Sequence, residues 1–391
     1  MRRIPSASAI WQRGKSLFTK GFFFDRPLLL IQSDDWGRIG VRDEDGFEEL
    51  RQAGVTLGSN PYDFYSLETG EDVDALTTIL MRHKDSVSRS AVAAMYFVVA
   101  NVDFQKAAQS NYREIPTFPL ADGLPGRWYR PGLLDTYRRG VAQGTIFAAL
   151  HGATHFCRTS VQRELSAEGE RAELLRTLWK AESPYIFWRM PWVGYEYWDP
   201  ERPAEARHLP AELQATAIRE AVQGFKRVFG STPVSACAPG YRADGNTHGA
   251  WQAAGIRIAQ NGPGGMRAPR FDGHGLLNIY RNIDFEPSVD PHFSVEQCLR
   301  TAGECFARGF PAVLSTHSIN CHSSLRSFRS STLRCLHEFL TEVETRFPDL
   351  LYLHDADLYD LITHGEYQAP AGPVKVGVRQ RNIHLARIAT G

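Results

Sequence analysis

The chain has 391 residues, of which 43% are hydrophobic, and this is enough to bury a large core without disulfides. Its 44 Lys and Arg residues balance 44 Asp and Glu residues, which argues against nucleic acid or an anionic membrane as the main partner. The six cysteines show no paired spacing, so reduced thiols are favoured and a Cys-metal site is not expected.

Residues 1–24 are interpreted as an N-terminal extension. Basic and polar residues interrupt its apolar residues, so it lacks the continuous apolar region of a secretory signal. No stretch of the sequence approaches the roughly 20 apolar residues of a transmembrane helix. We therefore expect a cytoplasmic protein without a transmembrane segment, and the sequence leaves its oligomeric state open.

Short apolar runs alternate with longer helical patterns, which is typical of βα units around a parallel sheet. The predicted strands cover residues 27–32, 91–99, 145–150, 234–238, 257–259, 277–285, 312–315 and 350–353. Several are apolar almost throughout, as expected for strands that are covered on both faces.

Two segments show the apolar stripe of an outer-layer helix, residues 211–229 and 331–346. The first has its stripe at Leu213, Ile218, Val222, Phe225 and Phe229, and Gly230 ends it. We expect one domain over residues 25–362, with irregular insertions near 103–139 and 157–203 that form lids or binding walls. Residues 363–391 are interpreted as a C-terminal extension.

Candidate catalytic residues follow the predicted strands, where an α/β barrel builds its active site. Asp34 and Asp35 come directly after the first strand in IQSDDWG. Two adjacent buried carboxylates repel each other unless a metal or hydrogen bonds compensate. The alternative is a solvated turn or a helix N-cap.

A His-x-x-x-His pair, His151 and His155, follows the third strand. On one helical turn this spacing would direct both imidazoles to the same side, which suits two metal bonds of ~2.0–2.1 Å. Two ordinary polar histidines are the alternative.

Two further strand ends carry polar residues. CAPGYRADGN places Tyr241 and Arg242 after the fourth strand, where a surface arginine in a loop is the alternative. VLSTHSINCH ends the seventh strand on His317, which could be merely hydrogen-bonded.

Together these residues favour one mechanism. Two histidines and an aspartate around Zn²⁺ leave a position for water, whose pKa the metal lowers towards ~7. A second carboxylate can take the proton as this water attacks an amide carbonyl, and a histidine opposite can protonate the leaving amine.

With this order of motifs, the chain resembles the polysaccharide deacetylases, the NodB-homology carbohydrate esterases, over roughly residues 28–361. The longest similar block is 211–256, with a helix, a Gly-x-x-Pro turn, a strand that ends in a proline motif, and a second helix. The resemblance implies a distorted (β/α) barrel of seven or eight parallel strands. The chain departs from the family's Asp-Asp-Gly, because Trp36 precedes Gly37, and from its arginine motif, because Arg242 follows Pro239.

The resemblance also implies residue roles. Asp34 would be the catalytic base, His317 the general acid, and one divalent ion, by default zinc, would be held by Asp35, His151 and His155. We further expect Trp36 and Tyr241 to line the pocket and Arg242 to contact the substrate or orient Asp34.

The predicted function is removal of an acetyl or other acyl group from an amino sugar or a saccharide, such as a cytosolic glycan precursor. One alternative is an amidohydrolase that acts on C–N bonds of a compound other than a sugar. A glycan-binding relative without catalytic activity is the other.

Overall fold

The computed structural model describes residues 18–263 and 265–384. Its strands are β1 Phe18–Phe24, β2 Leu28–Trp36, β3 Ala93–Phe97, β4 Ala100–Val102, β5 Thr117–Pro119, β6 Ile146–Leu150, β7 Ser235–Cys237, β8 Ile258–Asn261, β9 Arg270–Phe271, β10 Leu277–Tyr280, β11 Ile283–Asp284, β12 Ala312–His317, β13 Leu351–Leu353, β14 Glu366–Ala369, β15 Gly372–Lys375 and β16 Val378–His384. Its α-helices are α1 Glu44–Gln52, α2 Gly70–Arg82, α3 Phe104–Gln109, α4 Leu133–Ala142, α5 Arg158–Leu165, α6 Glu170–Lys180, α7 Ala211–Phe229, α8 Gly245–Ala253, α9 Val295–Ala307, α10 Arg329–Arg346 and α11 Asp355–His364.

A ten-stranded, mainly parallel sheet organises this mixed α/β fold. Its order is β11-β12-β2-β3-β6-β7-β8-β10-β9, and β13 pairs with the start of β2. The β9–β10 pair is antiparallel. Each predicted strand corresponds to a strand of this sheet, although the bounds differ by a few residues. β2 continues through both aspartates to Trp36, and the strand predicted at 277–285 is divided into β10 and β11.

The predicted helices are confirmed as α7 and α10. In α7, Ile218 and Phe225 are buried, but Leu213 is 46% exposed. At about 100° per residue, Leu213 lies about 140° around the helix from Ile218, so the predicted stripe was wrong at this position. α7 ends at Gly230, whose φ of 77° is the left-handed conformation that favours glycine.

The two insertions are not irregular throughout, which corrects the sequence prediction. Residues 103–139 contain α3, β5 and most of α4, and residues 157–203 contain α5 and α6. α6 buries Ala172, Leu175, Leu178 and Trp179 at helical spacing. The apolar residues of α6 recur at helical spacing, so the sequence itself carried this signal.

Strands from the two predicted extensions pair with each other. β1 and β16 run antiparallel, from Phe18 opposite His384 to Phe24 opposite Val378. Phe22 and Phe24 are buried in an apolar cluster that also includes Leu28 and Leu30 from the start of β2. Residues 1–17 and 385–391 of these extensions lie outside the described residues.

Two further features agree with the sequence. The six cysteines are free thiols, and five of them are buried. Within residues 18–263 and 265–384, no helix is both long and apolar enough to cross a bilayer.

Candidate metal centre and active site

The C-terminal edge of the sheet brings six of the predicted residues together. β12 pairs with β2 in a register that places His317 opposite Asp34, and β6 ends directly before His151. A cavity of about 300 Å³, the site cavity, opens at this edge. Its lining consists of Asp34, Asp35, Arg38, Tyr62, His151, His155, Phe187, Trp188, Tyr195, Gly240, Tyr241 and His317.

Asp35 lies in an irregular part of β2. Its φ is 73°, which is rare for a residue other than glycine, and the register with β3 shifts between Ser33 and Trp36. The Tyr65 hydroxyl donates a hydrogen bond of 2.9 Å to the carbonyl oxygen of Asp35. Such strained conformations occur at functional sites where the surrounding structure holds them.

The His-x-x-x-His segment does not lie on a helical turn, which corrects the sequence prediction. Residues 151–156 form a loop between β6 and α5. Gly152 has a φ of 100° and allows the chain to turn. Both imidazoles nevertheless converge on Asp35, so the loop achieves what the helical spacing was expected to provide.

The tautomer of His151 shows what this convergence requires. Its Nδ1 lies 3.0 Å from the carbonyl oxygen of Cys237, which can only accept, so Nδ1 carries the proton. The other ring nitrogen, Nε2, faces Asp35 Oδ1 at 3.4 Å. His155 Nε2 lies 3.1 Å from the same oxygen.

Burial keeps the imidazole of His155 neutral. Burial and the Arg38 charge lower the pKa of His155 to about 4, in spite of the opposing effect of Asp35. Its Nδ1 lies 2.7 Å from the Tyr185 hydroxyl, which can accept the Nδ1 proton. Potential ligand atoms of both histidines and of Asp35 thus face one another in a buried place, an arrangement that a bound cation would stabilise.

The distances fit a metal ion. Ligand atoms ~2.0–2.2 Å from a tetrahedral centre lie about 3.3–3.6 Å apart, and the measured separations from Asp35 Oδ1 are 3.1 and 3.4 Å. Oδ1 is buried without a hydrogen-bond partner. Asp35, His151 and His155 thus form a candidate metal site.

A second group of potential ligands, Asp34, His151 and Cys237, lies nearby. It is less suitable, because both Asp34 oxygens are already bound by an arginine. Burial also raises the pKa of the Cys237 thiol well above its usual value, and only the thiolate binds metal well.

Asp34 is held by Arg281, which the sequence analysis did not identify. The arginine Nη2 and Nη1 donate to the two Asp34 oxygens at 2.5 and 2.7 Å, and neither side chain is more than 1% exposed. Burial by itself would raise the pKa of Asp34, but the charge of Arg281 and smaller effects from His151 and His317 keep it below the usual value. Asp34 is therefore an ionised carboxylate.

Arg38 occupies the other oxygen of Asp35. Its Nη1 donates to Oδ2 at 2.7 Å, and its guanidinium lies 4.4 Å from the centroid of the Tyr65 ring. Against the effect of burial, Arg38 and the two histidines hold the pKa of Asp35 well below its usual value. Because Oδ2 is engaged, Oδ1 is the oxygen that remains for a metal.

His317 lies across the cavity with a carboxylate behind it. Its Nδ1 is 2.6 Å from Glu286 Oε1, and Asn320 donates to Oε2 of the same carboxylate at 2.5 Å. Burial lowers the pKa of His317, but Glu286 outweighs this effect and raises it to about 9. At neutral pH, His317 is thus protonated, and it lines the cavity.

No family model and no curated protein matches the chain. Solved structures similar to it include a protein described as a polysaccharide deacetylase from Mycobacterium smegmatis (13% identity, 87% of this chain and 91% of that chain, TM-score 0.45). A family 4 carbohydrate esterase from Streptomyces lividans, solved with acetate, is 11% identical over 84% of this chain and 92% of that chain (TM-score 0.34). A family 4 pseudoenzyme from Bacillus anthracis is 8% identical over 83% and 63% (TM-score 0.35). These similarities do not assign a family.

The three residues expected to contact substrate lie in different places. Tyr241 lines the cavity, has a φ of 58°, and accepts a hydrogen bond of 2.9 Å from Arg281. Arg242 is exposed and lies 4.7 Å from the Trp198 ring, outside the cavity lining. Trp36 is 0% exposed and belongs to the main hydrophobic core.

Other site residues were missed by the sequence analysis. Arg281 lies inside the strand predicted at 277–285, and only residues after strand ends were considered as site residues. Arg38 follows Asp35 by three residues, a spacing at which side chains can pair, and this was an available signal. Three aromatic residues of the cavity come from an insertion that was expected to form a lid or a binding wall, namely Phe187, Trp188 and Tyr195.

Proposed function

We propose that this protein is a metal-dependent hydrolase that removes an acetyl or other acyl group from an amino sugar or a saccharide. The observation that carries the proposal is the buried Asp35 Oδ1, which has no hydrogen-bond partner and is faced by the Nε2 atoms of His151 and His155. This arrangement suits a divalent cation, and zinc suits the donor set best.

Asp35, His151 and His155 would hold the ion. A divalent ion there would supply Lewis-acid polarisation of an acyl carbonyl and a lowered pKa for water. The hydrogen bonds from His151 to the Cys237 carbonyl and between His155 and Tyr185 orient the imidazoles, as partners of metal ligands commonly do.

The remaining residues can move the protons. Asp34, ionised and oriented by Arg281, takes a proton from the water that adds to the carbonyl carbon. His317 donates its Nε2 proton to the leaving nitrogen as the C–N bond breaks, while Nδ1 stays with Glu286. The products are a carboxylic acid and an amine, which accounts for the atoms of amide and water.

The wall of the site cavity supports a saccharide substrate. Phe187, Trp188 and Tyr195 provide aromatic surface beside the proposed metal ligands. Trp188 is 39% exposed and is fixed by a hydrogen bond of 2.9 Å from its Nε1 to Asp63. An exposed but fixed indole suits stacking on a sugar ring. Tyr241 belongs to the same proposed contact surface, whereas the positions of Trp36 and Arg242 give their proposed contacts no support.

We also propose that the sheet closes into a distorted barrel within residues 25–362. β10 pairs with β8, β11 pairs with β12, and only Arg281 and Asn282 separate β10 from β11. The consecutive strands β10 and β11 thus pair with strands on opposite sides of the sheet, β8 and β12. A cytoplasmic location stays a prediction that cell fractionation would test.

Two other functions share this site. An amidohydrolase with a substrate other than a sugar would use the same Asp34, Asp35 and histidines, and only the aromatic wall favours a saccharide. A glycan-binding protein without catalytic activity would not need Asp34 to be ionised or His317 to be protonated. Arg281 keeps Asp34 ionised and Glu286 keeps His317 protonated, and these protonation states support a catalytic function.

The test combines metal analysis with a library of acetylated saccharides. We expect about one divalent ion per chain, lost in Asp35→Ala and His155→Ala. Asp34→Asn and His317→Ala should retain the ion and lower turnover by roughly 10²–10⁴-fold, the usual contribution of positioned proton transfer. An active protein without metal, or full turnover in Asp34→Asn, would contradict the proposal.

A further inference from the structure

A buried glutamate holds the loop that carries the two histidines. Glu196 is 3% exposed and lies in the insertion between α6 and α7. Its Oε1 accepts hydrogen bonds of 2.9 Å from the backbone N–H groups of both Ala153 and Thr154. These two residues lie between His151 and His155 in the sequence.

The loop depends on such a partner, because it has no helical hydrogen bonds of its own. A buried N–H group without an acceptor destabilises the fold, and Glu196 satisfies two of them with one oxygen. The space for its carboxylate is provided by Gly152, where a Cβ would collide with Oε2. Loop and glutamate therefore fit each other closely.

Glu196 also connects the loop to the cavity wall. Its neighbour Tyr195 lines the site cavity, and the Tyr195 ring lies 5.6 Å from the imidazole of His155. Reciprocal backbone hydrogen bonds of 2.9 and 2.8 Å between Tyr195 and Trp198 fix this segment. Two neighbouring residues thus contact both parts of the site, Glu196 the histidine loop and Tyr195 the cavity.

We propose that Glu196 is a positioning residue that sets the geometry of the His151 and His155 imidazoles for metal binding. It acts through the backbone of Ala153 and Thr154, without binding the metal itself. This inference rests on the proposed function, because it assumes that the two histidines hold a metal.

The experiment compares Glu196→Ala, Glu196→Asp and Glu196→Gln in the full-length protein. Zinc affinity is measured by calorimetry, and the visible spectrum of the Co²⁺-substituted protein reports the geometry of the ligands. Ala removes the acceptor, and Asp withdraws it by one methylene, so both should weaken zinc binding, for Ala by about 10–100-fold, and alter the Co²⁺ spectrum. Gln keeps Oε1 as an acceptor and should restore the wild-type affinity and spectrum.

Asp85→Ala is the matched control. Asp85 is also buried and accepts backbone N–H groups, from Val87 at 3.0 Å, Arg89 at 2.8 Å and Tyr352 at 3.1 Å. It lies at the opposite end of the sheet, where β13 pairs with the start of β2. This variant should lose stability while its zinc affinity and Co²⁺ spectrum stay unchanged.

The outcomes separate the two ideas. If the wild type binds zinc and folded Glu196→Ala binds it equally well with an unchanged spectrum, the inference alone is wrong. If Glu196→Ala does not fold, the comparison of Asp with Gln decides, and equal affinities for both would overturn the inference. A wild-type protein that binds no zinc or cobalt would overturn the proposed function and this inference with it.

Discussion

At the scale of single residues, the site is a set of charges that are paired before any ligand arrives. Each pair joins a predicted site residue to a partner that is distant in sequence or was not expected. The pairs are Asp34 with Arg281, Asp35 with Arg38, and His317 with Glu286. Since burial of an unpaired charge is costly, these partners are what allow the ionised groups to remain in the fold.

The pairing of His317 predicts a pH dependence. The pKa of His317 is raised to about 9, with Glu286 as the cause that outweighs burial. Glu286→Gln should therefore lower the pKa and move the alkaline limb of the pH–rate profile to lower pH. NMR titration of the imidazole checks this without a substrate, and an unchanged titration would contradict the assignment.

The raised pKa of His317 also makes the stability of the folded protein depend on pH. A folded-state pKa above the unfolded value of about 6.5 means that the native protein binds the proton more tightly. The stabilisation is fully present below about pH 6.5 and is lost as the pH rises through about 9. Glu286→Gln should remove most of this dependence in denaturant unfolding curves.

The ion pair between Arg38 and Asp35 leads to a prediction about metal affinity. Its guanidinium neutralises Asp35 and repels a cation at Oδ1, so Arg38→Met should raise zinc affinity by about tenfold or more. Arg89→Met is the control, because Arg89 forms an equally short 2.7 Å ion pair with Asp357 away from the site. Weaker zinc binding in Arg38→Met would instead show that Arg38 is needed to position Asp35.

At the scale of elements, strand ends and loops rather than helices present the site. The turn after β7 approaches the aromatic insertion so closely that Gly240, with a φ of 60°, has the Tyr195 ring where its Cβ would be. The histidine loop and the cavity wall meet in the same region. Close backbone approach therefore explains why glycine is needed at this turn.

Gly240→Ala tests this contact between elements. We expect a loss of roughly 1–3 kcal/mol from the left-handed backbone alone, and a further loss because Tyr195 must move. Gly230→Ala, with a φ of 77° and open space around its Cβ, is the control for the backbone cost. Equal losses in urea unfolding would show that the Tyr195 contact contributes nothing.

At the scale of the whole molecule, the junction between β10 and β11 connects β8 to β12. Asn282 fastens it. Its Nδ2 donates to the Pro311 carbonyl at 2.9 Å, and its Oδ1 accepts from the Val313 N–H at 2.9 Å. The neighbouring residue is Arg281, so the same junction positions the partner of Asp34.

Asn282→Ala should therefore destabilise the fold by about 1–3 kcal/mol, because it leaves the Val313 N–H without its acceptor. Guanidinium unfolding measures the loss. Asn246→Ala, at an exposed position in α8, is the control and should change stability little. A loss in Asn282→Ala no larger than in the control would show that the junction is held by other contacts.

The sequence by itself determined the parallel strands of the main sheet, the two long helices and the cluster of Asp34, Asp35, His151, His155 and His317. This was possible because the C-terminal ends of parallel strands share one edge of a sheet, so polar residues after different strands must meet there. Apolar runs and turn residues are local signals that can be recognised without knowledge of the fold.

Only the tertiary structure decided which partners these residues have. Arg281 is 247 positions from Asp34, Glu286 is 31 from His317, and Glu196 is 43 from Ala153. An arginine or glutamate in a sequence is usually solvated, and nothing local marks the few that are buried against a charge or a loop. Helical spacing was a poor guide to the histidine loop for the same reason, since a distant carboxylate sets its conformation. Long-range pairing of buried polar groups is a property of the packed chain, and it is therefore absent from any local pattern.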